Sequence, residues 1–313
     1  MTTQRPASLP EGVGSTALIT AYARAQESRR SDALFTDPQA ALFIAAVAGA
    51  DDAEGRLPRL GPARDDGSSA LWIGLYAYFA GRTPFYDQYV EQAAAAGCRQ
   101  LVLLGAGLDT RAWRLPLPSG TTVYELDTQQ VHDFKNDVLA RSALTCPVER
   151  VPVAVDLRVN WLEPLRAAGF DEDRPTAWLA EGLLMYLDST QSDALLDLIT
   201  SVSAPGSRFA AEYFNRRSRL SEVPISDPAD QAVAELFVNS DQGGPDAAPE
   251  KWLASRGWQA RVRDLVDEFA VQGRPVPYMF EPAKPDPFRV LLTSAVLETL
   301  SVPPDPGVLL AGT

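Results

Sequence analysis

Four acids in this chain fall where a short apolar run gives way to polar residues. Asp109 follows Leu101-Val102-Leu103-Leu104-Gly105-Ala106-Gly107-Leu108, and Asp127 ends Thr121-Thr122-Val123-Tyr124-Glu125-Leu126. Asp156 ends a run from Glu149 to Val155, and Glu181 ends Thr176-Ala177-Trp178-Leu179-Ala180. Short apolar runs bounded by glycine or an acid read as buried parallel strands. The carboxyl edge of such strands is the binding edge of an open α/β sheet, so the four acids would gather on one ligand. Carboxylates there suit a ligand that donates hydrogen bonds through hydroxyls, an exocyclic amine and an ammonium group. A pyrophosphate would instead need N–H donors and the positive end of a helix.

The Gly105-Ala106-Gly107 turn permits close approach of backbone to ligand, because glycine lacks a Cβ and tolerates positive φ. A dinucleotide fingerprint requires a third small residue at position 110, which is Thr, and Asp109 would crowd a pyrophosphate. Both points disfavour a nicotinamide oxidoreductase and favour S-adenosyl-L-methionine.

Composition narrows the classes further. With 28 basic and 41 acidic residues the net charge is −13, which excludes the basic density that a nucleic-acid partner demands. Cys98 and Cys146 have neither metal-ligand nor disulfide spacing, so no metal is expected. His132 is the one histidine, so a histidine-based nucleophile or a two-histidine metal site has little to draw on. It lies on a polar helical stretch and is expected to be exposed. Met1 to Pro6 leads into no apolar core, and no apolar run is long enough to span a bilayer. The expectation is a soluble cytoplasmic protein without a membrane partner.

The elements that must position these acids follow from periodicity. Residues 1–12 read as a tail. Helices are predicted over Gly14–Arg30 and from Asp37-Pro38 through Val47, both ahead of the first strand. Residues 51–69 read as a long loop, and the aromatics from Leu71 to Tyr89 as a helix packed on the core, with Arg82 just before a helix. After the first two strands come a helix at 128–142, strands at 149–156 and 176–181, a helix at 189–202 and a strand at 207–213. Residues 215–250 break the rhythm and read as an insertion over the cleft, with a short helical piece near 232–237. A helix at 251–256 and strands at 258–262 and 288–293 close the chain. The expected architecture is a doubly wound, mostly parallel seven-stranded sheet. Residues 1–90 would form a tail and helical lid extension, and residues 91–313 the core with its lid insertion.

Leu104-Gly105-Ala106-Gly107-Leu108-Asp109-Thr110-Arg111-Ala112-Trp113-Arg114-Leu115, Glu125-Leu126-Asp127, Asp156-Leu157 and Trp178 through Leu187 together resemble the leucine carboxyl methyltransferase family. Its bacterial branch, which includes polyketide carboxyl O-methyltransferases, is the nearest likeness. The amino-terminal Arg24 to Arg30 and Asp37-Pro38 resemble the family's helical extension, and the match spans roughly residues 13–215. The resemblance implies a class I methyltransferase fold that uses S-adenosyl-L-methionine and releases S-adenosyl-L-homocysteine. It implies that Arg82 pairs with the methionine carboxylate and that Gly105, with Ala106 and Gly107, lies under the cofactor. Asp127 would take the ribose hydroxyls, Asp156 and Leu157 would flank the adenine, Glu181 would face the methionine ammonium, and Asp109 is also expected among the cofactor-binding residues. A lysine that the eukaryotic members carry in this extension is missing here, where Arg24 or Gln26 stands.

Tyr186 and Tyr213 are expected as core or cleft-wall aromatics that could touch the acceptor. A carboxylate acceptor is already ionised at neutral pH, whereas a phenol or alcohol needs a base. The scarcity of histidine therefore points to methyl ester formation on a small-molecule acid. Phenolic O-methylation and a cofactor-retaining protein that does not methylate, such as a cyclase, are the alternatives.

Overall fold

In the computed structural model the described residues are 14–47, 60–62, 67–142, 144–223, 225 and 227–298. The expected tail at 1–12 and most of the expected loop at 51–69 lie outside them.

The sheet is built outward from β1 (Gln100–Leu104), whose five residues are all buried. A central strand covered on both faces has no room for polar alternation, which is why its sequence is nearly all apolar. β2 (Thr122–Asp127) and β3 (Glu149–Ala154) lie on one side of it, and β4 (Thr176–Ala180) and β5 (Arg208–Phe214) on the other, all parallel. β7 (Val290–Leu297) pairs antiparallel with β5 and with β6 (Trp258–Asp264). Among the described residues this gives one seven-stranded sheet of order β3-β2-β1-β4-β5-β7-β6. The strand order reverses between β1 and β4, and a crevice opens at the carboxyl ends on either side of such a point.

Alternate residues of each strand feed separate cores. Leu101, Leu103, Leu179 and Ala210 pack with α3 (Ala70–Ala95) and α10 (Leu265–Val271) on one face. Val102, Leu104, Trp178 and Ala211 pack with α6 (Leu162–Ala167), α7 (Ser189–Ser201) and α9 (Pro249–Ala254) on the other. A third cluster joins α1 (Gly14–Glu27), α2 (Pro38–Val47) and α5 (Gln129–Ala140) through Leu18, Phe43 and Phe134. This cluster sets the amino-terminal helices over the carboxyl edge of the sheet. The short α4 (Arg111–Arg114) follows the glycine turn, and α8 (Pro228–Ser240) lies in the segment between β5 and α9.

α7 starts with a reciprocal cap: Asp188 accepts from Gln191 N, and the Gln191 side chain accepts from Asp188 N. Asp188→Ala removes one side of that pair and is expected to cost about 1 kcal/mol in urea unfolding.

Two expectations change here. Arg82 does not precede a helix; it lies inside α3, which runs through Pro84 without a break. Proline lacks the N–H of the helix ladder and is favoured in a helix's first turn, so Pro84 mimics a helix start. Around it, Thr83 Oγ1 donates to Phe79 O at 2.7 Å and Gln272 Nε2 donates to Gly81 O at 2.7 Å. The other correction is His132, which is not exposed but 2% accessible, with Nε2 3.2 Å from Val153 O. Its turn of α5 faces β3, and burial lowers the ring's pKa below the ordinary histidine value.

Candidate active site

A cavity of about 520 Å³ lies over the carboxyl ends of β1, β2, β3 and β4, under α1 and α3. Its floor is the turn after β1. Gly105 has φ +66° and Gly107 φ +49°, a region that costs non-glycine residues strain. Space reinforces the choice, since a Cβ on Gly107 would stand 3.2 Å from Ala17 Cβ of α1, and one on Gly105 3.3 Å from Leu183. Ala106 N donates to Leu126 O at 3.0 Å, tying the turn to β2.

At one end of the cavity Asp127 closes β2. Gly107 N and Thr128 N each donate to its carboxylate at 2.7 Å, one to each oxygen. Two amides thereby fix the carboxylate plane while leaving lone pairs for a ligand. Asp156 and Leu157 stand just past β3 and line the same end. Asp156 bonds Arg158 N at 2.9 Å and Arg158 Nη2 at 2.7 Å, and these contacts hold its pKa below the usual range.

The opposite end holds a set of buried ion pairs. Glu181, just after β4, meets Arg82 Nε at 3.0 Å, Arg111 Nη2 at 2.7 Å and Arg24 Nη2 at 3.5 Å. Burial alone would raise its pKa, yet Arg111, Arg82 and Arg24 bring it down to about 2. Asp109 is bound by Arg111 and lies 3.9 Å from Arg24. Burial opposes its ionisation too, and the same two arginines hold it far below the carboxylate range. Arg82 reaches across to Glu212 on β5, with Nη1 at 2.6 and 2.7 Å from the two oxygens. Arg24 Nε is buried without a hydrogen-bond partner.

The wall away from the glycine turn is aromatic. Tyr78, Phe79, Phe214 and Phe237 line it, with ring centroids 4.8 Å apart for Tyr78 and Phe79 and 6.1 Å for Phe79 and Phe237. Tyr186 also lines the cavity; its hydroxyl lies 3.4 Å from Thr16 Oγ1, and burial pushes its pKa up to about 12.

Arg82, Gly105, Ala106, Gly107, Asp109, Asp127, Asp156, Leu157, Glu181 and Tyr186 thus share one cavity. Tyr213 does not line it. Its hydroxyl lies 2.6 Å from Pro245 O, and the residue lines a separate, smaller cavity. Strand alternation puts Phe214 in the wall position expected of Tyr213.

Arg24, Arg111, Glu212, Tyr78, Phe237 and Asp241 also build the site or support it, and sequence reasoning gave them no settled role. Arg111 stood in the quoted motif. Glu212 carried a signal as well, an acid in the apolar run Phe209-Ala210-Ala211. Among the described residues no group of three His, Cys, Asp or Glu could hold a metal ion. No described helix is long and apolar enough to cross a membrane.

A mostly parallel sheet with this strand reversal and an antiparallel β7, a glycine turn after β1 and an acid ending β2 defines a class I methyltransferase fold. A family model for leucine carboxyl methyltransferase matches residues 17–200. A Mycolicibacterium paratuberculosis protein named for S-adenosyl-L-methionine-dependent methyl transfer is 43% identical over 278 residues, covering 86% of this chain and 87% of that protein. A Mycobacterium tuberculosis protein with the same name is 40% identical over 295 residues, covering 90% of this chain and 95% of that one. Among solved structures, a Thermobifida fusca protein named as a methyltransferase aligns over 90% of this chain and 94% of its own, at 17% identity and a TM-score of 0.48. The chain belongs to the leucine carboxyl methyltransferase family, and its cofactor is S-adenosyl-L-methionine.

The residues present fit that cofactor. Glycines at positive φ with little space for a Cβ make a cradle, carboxylates stand at one end, and a buried guanidinium nitrogen without a partner stands at the other.

Proposed function

We propose that the protein transfers a methyl group from S-adenosyl-L-methionine to a carboxylate oxygen of a small-molecule acid, forming a methyl ester. When bound, the cofactor supplies an electrophilic methyl on a sulfonium, and S-adenosyl-L-homocysteine leaves. Asp127 would accept from the ribose hydroxyls, Asp156 and Leu157 would flank the adenine, and Gly105 would lie under the methionine portion. Arg82 would hold the methionine carboxylate and Glu181 the ammonium. Arg24 has donors to spare and would draw an anionic acceptor toward the reacting end. The aromatic wall would receive the acceptor's apolar body and exclude water, so that the two reactants meet in line.

The observation that carries the carboxylate reading is the lack of a poised base among the described residues. Asp109, Glu181 and Glu212 are all committed to arginines. Asp241 accepts Ser218 N, Ser218 Oγ and Gly243 N at 2.7 to 2.9 Å. Burial raises the Tyr78 and Tyr186 phenols still further above the neutral range, and His132 does not line the cavity. A hydroxyl acceptor must lose a proton in the reaction, whereas a carboxylate loses none.

The test is a panel of matched acids and phenols incubated with the protein and labelled S-adenosyl-L-methionine. Label is expected in products that release methanol on mild alkaline treatment, as esters do. Alkali-stable label appearing only with the phenols would overturn the carboxylate assignment.

A further inference from the structure

We propose that Glu212 and Tyr78 are positioning residues that aim Arg82 at the methionine carboxylate of the cofactor, a role that rests on the assignment of Arg82 made above. Neither the glycine turn nor the strand-end acids account for Glu212. It is fully buried on β5 and does not line the cavity.

Stability is a poor reason for placing it there. Taking a carboxylate and a guanidinium out of water costs several kcal/mol per ion, and well-packed apolar substitutes are often as stable or more so. What Glu212 does provide is geometry. Its two oxygens take Arg82 Nη1 at 2.6 and 2.7 Å, while Glu181 takes Nε at 3.0 Å. The Tyr78 hydroxyl closes the arrangement by touching both Arg82 Nη1 and Glu212. Tyr78 lies one turn before Arg82 on α3, and its ring centroid is 4.4 Å from the guanidinium carbon. Two carboxylates from adjacent strands, a phenol and a ring face therefore define the guanidinium plane. Gly182 leaves room beside it, since a Cβ there would stand 3.2 Å from Arg82 Nη2. An unheld arginine side chain would lose its rotamer freedom on meeting its ligand. A guanidinium fixed by buried partners has already lost that freedom, so the carboxylate meets a preset fork.

The test separates a positioning role from a merely structural one by using two ligands. S-adenosyl-L-homocysteine carries the amino-acid carboxylate; 5′-methylthioadenosine has the same nucleoside without it. Calorimetry is run on the wild type, Glu212→Gln, Tyr78→Phe and Arg82→Gln. Glu212→Gln keeps the side-chain shape, and Tyr78→Phe removes one oxygen, so at least one variant should keep the fold. Glu212→Gln is expected to weaken S-adenosyl-L-homocysteine about tenfold and Tyr78→Phe a few-fold, as charge-assisted bonds are lost. 5′-Methylthioadenosine should bind all four proteins alike.

If Arg82→Gln shows this selectivity while Glu212→Gln and Tyr78→Phe do not, the positioning role falls and the reading of Arg82 stands. Tighter S-adenosyl-L-homocysteine binding by Glu212→Gln would likewise overturn it, making Glu212 a competitor for Arg82. If Arg82→Gln weakens both ligands equally or neither, the assignment of Arg82 itself fails and takes this one with it.

Discussion

Asp127→Ala is expected to weaken S-adenosyl-L-homocysteine binding on the order of 100-fold, which calorimetry would read as a loss of about 3 kcal/mol. The estimate follows from what holds the carboxylate. Gly107 N and Thr128 N, at 2.7 Å each, fix both oxygens before any ligand arrives. A vicinal diol placed against them gains two hydrogen bonds to a charged acceptor, each worth about 1.5–3 kcal/mol. The substitution also frees the Gly107 amide, whose residue sits at φ +49° in the cofactor turn, so the cradle loosens as the acceptor is lost. Stability should change much less, because Asp127 is only half-buried and ends its strand at the cavity. Tyr213→Phe is the control. That hydroxyl meets the carbonyls of Pro245 and Ala247 outside the main cavity, so affinity should stay within about twofold of wild type. Equal affinities in the two variants would overturn the ribose assignment.

The contrast between these two positions shows what could be read from the sequence and what could not. β1, the glycine turn and Asp127 were legible because a buried parallel strand and its turn leave local marks, an apolar run and residues without Cβ. The acid end of β4 left the same marks, an apolar run and a following glycine, whereas β3, an edge strand with one buried residue, left only its acid. Strand parity at β5 left none: Tyr213 and Phe214 are both aromatic, and only the partner strands decide which one faces the cavity. Arg82 was misplaced for another reason. Pro84 is a local signal for a helix start, and the packing of α3 against the sheet and α10 overrides it. Gly81 belongs to that packing, since a Cβ there would stand 2.4 Å from Phe269. His132 sat among polar neighbours, yet its turn of the helix is the one pressed on β3. The ion pairs were the least legible part. Arg82 and Glu212 lie 130 positions apart, and no spacing rule connects them.

Those ion pairs set the largest stability effect. Arg111→Met is expected to destabilise the fold by about 3–5 kcal/mol, measured by urea unfolding near neutral pH, because it strands buried charges. Arg111 is fully buried, and it bonds Asp87 at 2.8 Å, reaches Glu181 at 2.7 Å and holds Asp109. Arg24 cannot replace it, standing 3.5 Å from Glu181 and 3.9 Å from Asp109. Methionine fills similar space, so the loss should come from charge rather than from a cavity, and pH can separate the two. Glu181 titrates at about 2 in the folded protein against an ordinary 4.5. A depressed folded pKa contributes stability that is complete above the unfolded value and fades as pH falls toward the folded one. Wild-type stability should therefore decline between about pH 4.5 and pH 2, and Asp109, shifted in the same direction, steepens that decline. In Arg111→Met both acids lose their main counter-charge and titrate higher, so less stability remains to be lost with acid. The gap between wild type and variant should then narrow from about pH 7 to about pH 3. A gap of equal size at both values would assign the loss to packing and remove Arg111 as the charge that keeps Glu181 and Asp109 ionised.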